Sequence, residues 1–253
     1  SNQIPAEALY LSDNLQEVIG RLCYVAEHQL FGVLTGMVGV GKSTIIRRLK
    51  SSLPADKYLV LYLSDSQLTP RWFYNGLLQQ LGSEPKFQRG DAKLSLHRQL
   101  EYIREVRHIR VVTIVDEAHL LKRETLEEIR FLLNYHMDSM NPMALILVGQ
   151  DELWDKLVKS AYAAIRQRID IKCALPSYDL GQCQKYIAAH MKYAGCEQEI
   201  FTEDAIKAIY EYSAGSARGI NKVCMHSLLC AAQRGKKLID DHLVHLVIES
   251  ELP

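Results

Sequence analysis

The sequence predicts an α/β fold in which a parallel-sheet core is followed by a C-terminal all-helical domain. Apolar strand patterns alternate with helical patterns up to residue 175, and only helical patterns fill residues 176–253. Strands that alternate with helices favour a parallel sheet covered by helices. Pro176 stands where the pattern changes and marks a break in the chain. We therefore predict two domains, at residues 1–175 and 176–253.

The first predicted elements lead into a glycine-rich loop. Ser12 and Asp13 are expected to cap a helix. Its apolar residues recur at helical spacing and are Leu15, Val18, Ile19, Leu22, Val25 and Ala26. An apolar strand is predicted at 30–35, directly before the loop, and a helix at 43–49 after it. The next strand, at 58–63, is a continuous run of β-formers, which predicts a buried strand.

The later elements continue the alternation and then become wholly helical. Further strands are predicted at 111–115, 144–148 and 169–173, and further helices at 70–81, 92–107 and 124–135. The helices of the second domain are predicted at 181–193, 202–212, 217–234 and 240–249. Ligands of such folds gather where the carboxyl ends of parallel strands emerge, so site residues are expected directly after the strands.

The glycine-rich loop matches the phosphate-binding pattern G-x-x-x-x-G-K-[ST], which indicates a P-loop NTPase that binds ATP and Mg²⁺. Glycines at 36 and 41 are expected to let successive backbone N–H groups turn towards phosphate. Lys42 is predicted to contact the β and γ phosphates, and the Ser43 hydroxyl to bind Mg²⁺. The predicted nucleotide contacts of the loop are Gly36, Val38, Gly39, Val40, Gly41, Lys42, Ser43 and Thr44.

Two adjacent carboxylates follow the strand at 111–115. Asp116 is predicted to reach Mg²⁺ through water, and Glu117 to orient the attacking water as a general base. The letters D-E-A-H, which end at His119, also occur in helicases. A helicase needs a second sheet domain, and only about 80 helical residues follow Pro176. We therefore interpret His119 as a local structural residue.

Four further polar residues are candidates for contact with the nucleotide. Gln150 ends a strand and is predicted to bond the γ-phosphate or the water, with a turn amide as the alternative. Either Arg166 or Arg168 is predicted to act as an arginine finger towards a neighbouring subunit, with a surface ion pair as the alternative. Arg218 opens a helix of the second domain and is predicted to couple hydrolysis to domain movement, with a solvated arginine as the alternative.

The composition leaves the partner open. Thirty Lys and Arg balance thirty Asp and Glu, so only a local patch can attract nucleic acid. The candidate patches, alternatively solvated faces, are Arg104, Arg107, His108 and Arg110, and Arg234, Lys236 and Lys237. No apolar run approaches the roughly 20 residues of a membrane span, and we expect a cytoplasmic protein. Six cysteines without a C-x-x-C pair are interpreted as reduced core thiols.

The segments 36–44, 111–119, 149–150, 166–168 and the helix opening at Arg218 together resemble the AAA+ ATPases. The resemblance implies a five-stranded core with a C-terminal helical lid, and ATP bound between neighbouring subunits of a homo-oligomer. It also implies adenine contacts from Tyr10 and Leu11. The chain departs from the family in lacking an aromatic-proline opening upstream, and in having Ala217 where a proline commonly precedes the lid arginine.

A narrower resemblance lies in the run 131–142 and the strand at 145–150. Both are similar to the ExeA/GspA-type group, which includes general-secretion assembly ATPases and helpers of transposases in mobile elements. The sequence shows no membrane anchor or peptidoglycan-binding part, which favours an ATP-dependent helper of DNA transposition whose partners are DNA and a transposase. The alternatives are an assembly ATPase that acts on secretion-system components and, less favoured, a P-loop small-molecule kinase.

Overall fold

The structure, a computed structural model, describes residues 10–65, 68–133 and 141–252. Its strands are β1 (Phe31–Thr35), β2 (Tyr58–Leu63), β3 (Arg110–Val115), β4 (Ala144–Gly149) and β5 (Ile171–Ala174). They form one sheet in the spatial order β2-β3-β4-β1-β5. Every pairing between neighbouring strands is parallel. The predicted parallel-sheet core is therefore confirmed.

The helices agree with the predicted positions to within a few residues, apart from two short ones. Those before β5 are α1 (Asp13–Glu27), α2 (Lys42–Ser52), α3 (Pro70–Gln80), α4 (Arg89–Glu105), α5 (Arg123–Leu133), α6 (Glu152–Leu157) and α7 (Ala163–Arg166). Those after it are α8 (Leu180–Tyr193), α9 (Glu203–Ser213), α10 (Ala217–Gln233) and α11 (Asp241–Glu251). The predicted all-helical C-terminal region is confirmed. The predictions missed α6 and α7, whose 6 and 4 residues are too few to show a helical period.

Two predictions fall on the stretch around α5. The helix predicted at 124–135 is described as far as Leu133. Most of the run 131–142 that resembles the ExeA/GspA-type group lies outside the described residues, because 134–140 are not among them.

The centre of the sheet is apolar, whereas its outer strand is not. Every residue of β4 is buried, and so is every residue of β3 except the first. Such strands read as continuous apolar runs because helices cover both faces of the sheet. β2 was expected to be buried as well, and this expectation is wrong. It is the edge strand, and Tyr62 near its end is 41% exposed.

The described chain divides into two compact units. One comprises Glu17–Gly36 and Ile45–Ala174 and holds the sheet. The other comprises Met37–Thr44 and the described parts of Ser1–Gln16 and Leu175–Pro253. The loop after β1 is thus grouped with the C-terminal helices. In that second unit, α9 packs on α8, α10 and α11.

The cap of α1 and the state of the cysteines agree with the sequence-based predictions. The Ser12 hydroxyl accepts a hydrogen bond from the Leu15 N–H at 3.4 Å, as predicted for the cap of α1. All six cysteines are free thiols, and three of them, Cys173, Cys183 and Cys230, are buried. Burial raises the pKa of the Cys183 thiol to about 11, so this thiol stays protonated at neutral pH.

A buried acid joins three helices of the sheet unit. The Glu128 side chain on α5 is only 8% exposed. Its Oε1 accepts a hydrogen bond from the hydroxyl of Tyr74 on α3 at 2.5 Å, and lies 3.3 Å from the ammonium of Lys93. Its Oε2 lies 3.0 Å from the guanidinium of Arg89. Burial of this carboxylate is tolerable because three donors surround it.

We expect Glu128→Ala to lower the free energy of unfolding by about 2 kcal/mol, because it leaves the buried Tyr74 hydroxyl without its acceptor. Urea denaturation followed by circular dichroism measures the change. Glu127→Ala, at the position next to Glu128, is the matched control. The Glu127 carboxylate pairs with Arg130 three residues further along the helix, and we expect its removal to cost less than about 1 kcal/mol. Equal losses in the two variants would contradict the assignment.

Candidate functional site

The loop between β1 and α2 needs glycine at two positions. Gly39 and Gly41 have φ angles of +80° and +110°, which side-chain-bearing residues rarely adopt. A tight backbone was predicted at Gly36 and Gly41. The positive φ of Gly41 agrees with this prediction, and Gly39, which the prediction did not single out for this role, has a positive φ as well.

The polar side chains of the loop lie near its surface. Lys42 is the first residue of α2, and its ammonium donates to the Met37 carbonyl at 2.9 Å. Ser43 is exposed, Thr44 is half-buried, and the buried Val40 anchors the middle of the loop. The lysine therefore lies across its own loop, and the serine hydroxyl is open to a ligand.

The start of α10 is bonded to the loop. Ser216 caps this helix and donates its hydroxyl to the Val38 carbonyl at 3.4 Å. The Arg218 N–H donates to the Gly39 carbonyl at 3.0 Å. A Cβ added to Gly39 would lie 2.5 Å from the Ser216 Oγ and 2.9 Å from the Arg218 Cβ. The structure thus brings Arg218 to the loop, and only glycine at position 39 permits this approach.

The two proposed adenine contacts belong to the same unit as the loop. The ring of Tyr10 meets Tyr178 and Tyr186 edge to face, with centroids 6.1 and 6.2 Å apart. Burial, followed by the nearby Asp13 carboxylate, raises the pKa of Tyr10. The carbonyl of Leu11 accepts a hydrogen bond from the Gln16 side chain at 3.5 Å. Tyr10 is therefore packed into an aromatic cluster of the helical unit.

In the sheet unit, hydrogen bonds hold both carboxylate oxygens and the backbone N–H of Asp116. It follows β3 and is 7% exposed. One carboxylate oxygen accepts from the Glu117 N–H at 2.8 Å and the other from the Tyr62 hydroxyl at 2.6 Å. Its own N–H donates to the Leu63 carbonyl at 2.7 Å. Burial and the bond to Asp116 raise the pKa of Tyr62, so its hydroxyl stays a donor.

Glu117 points away from this buried position. Its backbone is left-handed, with φ 53°, and its side chain is 45% exposed. Its Oε2 lies 3.7 Å from the Nε2 of His119, while the Nδ1 of that ring accepts from the Gln150 N–H at 3.4 Å. The ammonium of Lys156 donates to the His119 carbonyl at 2.5 Å and to the Leu121 carbonyl at 3.0 Å. These contacts agree with the local structural role predicted for His119.

The two finger candidates lie near β5. Arg166 ends α7, and its guanidinium donates to the Val158 carbonyl at 2.5 Å. Arg168 lies between α7 and β5 and is half-buried.

Tyr62, near the end of β2, was not predicted as a site residue, because its hydrogen bond to Asp116 joins residues 54 positions apart.

A parallel sheet with a glycine loop after its fourth strand in spatial order, and carboxylates after its second, defines a P-loop NTPase fold. Solved structures agree. That of Drosophila ORC bound to DNA superposes with a TM-score of 0.72 and 17% identity, over 97% of this chain and 62% of that one. Cdc6p from Pyrobaculum aerophilum gives a TM-score of 0.68 and 19% identity, over 93% and 68%.

A family model described as "AAA domain" matches residues 25–157, more than half of the chain. The chain belongs to this AAA family. General secretion pathway protein A of Aeromonas hydrophila is 31% identical over 240 residues, which cover 91% of this chain and 42% of that protein. The resemblance to AAA+ ATPases and to the GspA-type group is therefore confirmed. The chain spans less than half of that relative's length.

Among the described residues, no helix combines the length and apolar character needed to cross a bilayer.

We expect Gly39→Ala to weaken nucleotide binding by about tenfold or more, because a side chain there strains the backbone and displaces the start of α10. Calorimetric titration with ATP measures the dissociation constant. Gly20→Ala is the matched control, since a Cβ there meets nothing within 4 Å, and we expect unchanged affinity. Equal affinities in both variants would contradict the role of Gly39.

Proposed function

We propose that the protein binds ATP together with Mg²⁺ and hydrolyses it. The observation that carries the proposal is the loop 36–43, a complete G-x-x-x-x-G-K-S pattern with left-handed glycines at 39 and 41. Such a loop supplies backbone N–H donors and a lysine to phosphates at the start of a helix. Membership of the AAA family supports nucleotide hydrolysis.

The donor set suits Mg²⁺, a hard cation that prefers oxygen ligands. Ser43 offers an exposed hydroxyl, and Asp116 a carboxylate with a second lone pair free on each oxygen. In this proposal Ser43 binds the ion directly and Asp116 through water. When bound, the ion offsets charge on the β and γ phosphates. Lys42 leaves the Met37 carbonyl and bonds these phosphates.

Glu117 is the proposed general base. Its carboxylate is accessible to water, unlike that of Asp116, whose oxygens are both engaged by donors. Its left-handed backbone sets it apart from the strand that it follows. Such strain at a non-glycine residue costs about 1 kcal/mol or more and is common at active sites. A base at this position would accept the proton of the attacking water.

Three other positions complete the proposed machinery. Gln150 bonds the γ-phosphate or the water from the end of β4. Arg218, whose helix is already bonded to the loop, reaches the bound nucleotide. Arg166 or Arg168 serves the site of a neighbouring subunit in a homo-oligomer, and Tyr10 and Leu11 contact the adenine.

For the biological role, similarity favours assembly of a secretion system. The relative at 31% identity is named as a general secretion pathway protein. We therefore propose a GspA-type assembly ATPase with secretion-system partners, in the cytoplasm where ATP is supplied. The transposition helper that binds DNA and a transposase stays a prediction. The shared segment is 42% of that relative, so the similarity does not extend to the rest of its length.

We expect Lys42→Ala to abolish ATP binding, because it removes the cation that contacts the phosphates, and Glu117→Gln to retain binding but lower turnover by about a hundredfold or more. Calorimetry and release of free phosphate measure the two effects. Lys50→Ala, at an exposed position of α2, and Glu124→Gln, at an exposed position of α5, are the controls. A fully active Glu117→Gln protein, or labelled phosphate on a metabolite instead of in solution, would sink the proposal.

A shared site makes a separate prediction. Arg168→Ala alone is expected to lose most ATPase activity, and mixing it with inactive Lys42→Ala is expected to restore part of it. Recovery occurs because an intact loop on one subunit then meets an intact arginine on the other. Phosphate release from the mixture, compared with each variant alone, measures this. If no activity returns, Arg166 or a monomeric site is indicated.

A further inference from the structure

A side chain closes the free edge of the sheet beside Asp116. β2 is the outer strand, so the outward N–H and C=O of Tyr62 face no further strand. Gln80, the last residue of α3, supplies both missing partners. Its Oε1 accepts from the Tyr62 N–H at 2.9 Å, and its Nε2 donates to the Tyr62 carbonyl at 2.8 Å. An amide side chain carries the same donor and acceptor as a peptide group, so it replaces a neighbouring strand here.

A glycine on α3 permits this contact. A Cβ added to Gly76 would lie 2.8 Å from a methyl carbon of Leu63, closer than side chains tolerate. Gly76 and Gln80 are four residues apart and therefore lie on one face of α3. The close approach at Gly76 brings the amide of Gln80 within reach of Tyr62.

The same tyrosine reaches the proposed magnesium residue. Its hydroxyl donates to Oδ2 of Asp116 at 2.6 Å, while the next residue, Leu63, accepts the Asp116 N–H. The end of β2 therefore holds Asp116 through both its main chain and its side chain. Oδ1 is fixed by the Glu117 N–H, so each carboxylate oxygen has one donor in place.

We propose that Tyr62 and Gln80 are positioning residues for Asp116. Gln80 fixes the peptide group of Tyr62, and the Tyr62 hydroxyl fixes the rotation of the Asp116 carboxylate, whose remaining lone pairs would then be held ready for a hydrated Mg²⁺. In this role neither residue needs to touch nucleotide or metal. The inference rests on the proposed function, because it assigns a source of order to the magnesium side of that site. A carboxylate held before the ligand arrives loses less freedom on binding.

The test compares two tyrosines of one strand in the full chain. Tyr62→Phe removes the donor to Asp116. Tyr58→Phe is the control, since the Tyr58 hydroxyl accepts from Arg110 at 3.3 Å instead of donating to Asp116. Calorimetric titration gives the affinity for ATP with EDTA and with excess Mg²⁺. We expect the two variants to bind ATP with equal affinity in EDTA. The increase in ATP affinity on adding Mg²⁺ is expected to be about threefold to tenfold smaller in Tyr62→Phe than in Tyr58→Phe.

A second pair of variants guards against a folding defect. Gln80→Met removes both bonds to the Tyr62 peptide group at similar size, and Gln79→Met, at the exposed neighbouring position, is its control. We expect Gln80→Met to lose part of the magnesium-dependent gain, while Gln79→Met keeps it. A purely structural role would lower the melting temperature and leave the gain unchanged.

Two failures are distinguishable. If the wild type gains affinity from Mg²⁺ and Tyr62→Phe and Gln80→Met both match their controls, the positioning role is overturned and the proposed function stands. If the wild type binds no ATP in either condition, the proposed function fails and the inference falls with it.

Discussion

The parallel direction of all five strands is the constraint on which the candidate site depends. Gly36, Asp116 and Gln150 are far apart in the chain, yet each directly follows a strand of one sheet. Because the strands point the same way, these residues lie at the same edge. The register then sets the finer positions: the Asp116 N–H bonds the Leu63 carbonyl, which extends the pairing of β2 with β3 by one step. The buried apolar strands thereby determine where the polar residues that follow them lie.

The two adjacent acids differ in environment, and this difference suits different chemistry. Asp116 is buried, and each of its carboxylate oxygens accepts one hydrogen bond, which holds the carboxylate in one orientation. Glu117 leaves the strand through a left-handed turn and is 45% exposed, with the His119 ring 3.7 Å from its carboxylate. The proposed roles follow this difference, because a general base must be accessible to water whereas a residue that holds a metal-bound water benefits from a fixed orientation. Two residues that are adjacent in the chain therefore have different environments, one buried and one open to water.

The sequence predicted those features that depend on local pattern. The strands follow from runs such as 144–148, and the loop follows from spacing of Gly36, Gly41 and Lys42. The burial of β2 was predicted wrongly, because an apolar run does not reveal whether another strand pairs with its outer side. The bonds of Tyr62 to Asp116 and to Gln80 were also missed.

These misses share a physical cause. Tyr62 and Asp116 are 54 residues apart, and Gln80 resembles any polar residue at a helix end until α3 is placed on the edge of β2. Likewise, Gly39 occupies a position of the motif at which any residue is allowed. Its need for glycine becomes visible only when Ser216 and Arg218 are placed against it. Periodicity carries no information about such distant partners.

The amide of Gln80 also affects solubility. An outer strand presents unpaired backbone groups, and such a row can template the addition of a strand from another molecule. At Tyr62 both groups are already engaged within the molecule. A second copy laid along β2 would have to displace this amide, so the arrangement disfavours edge-to-edge aggregation at the strand end nearest Asp116.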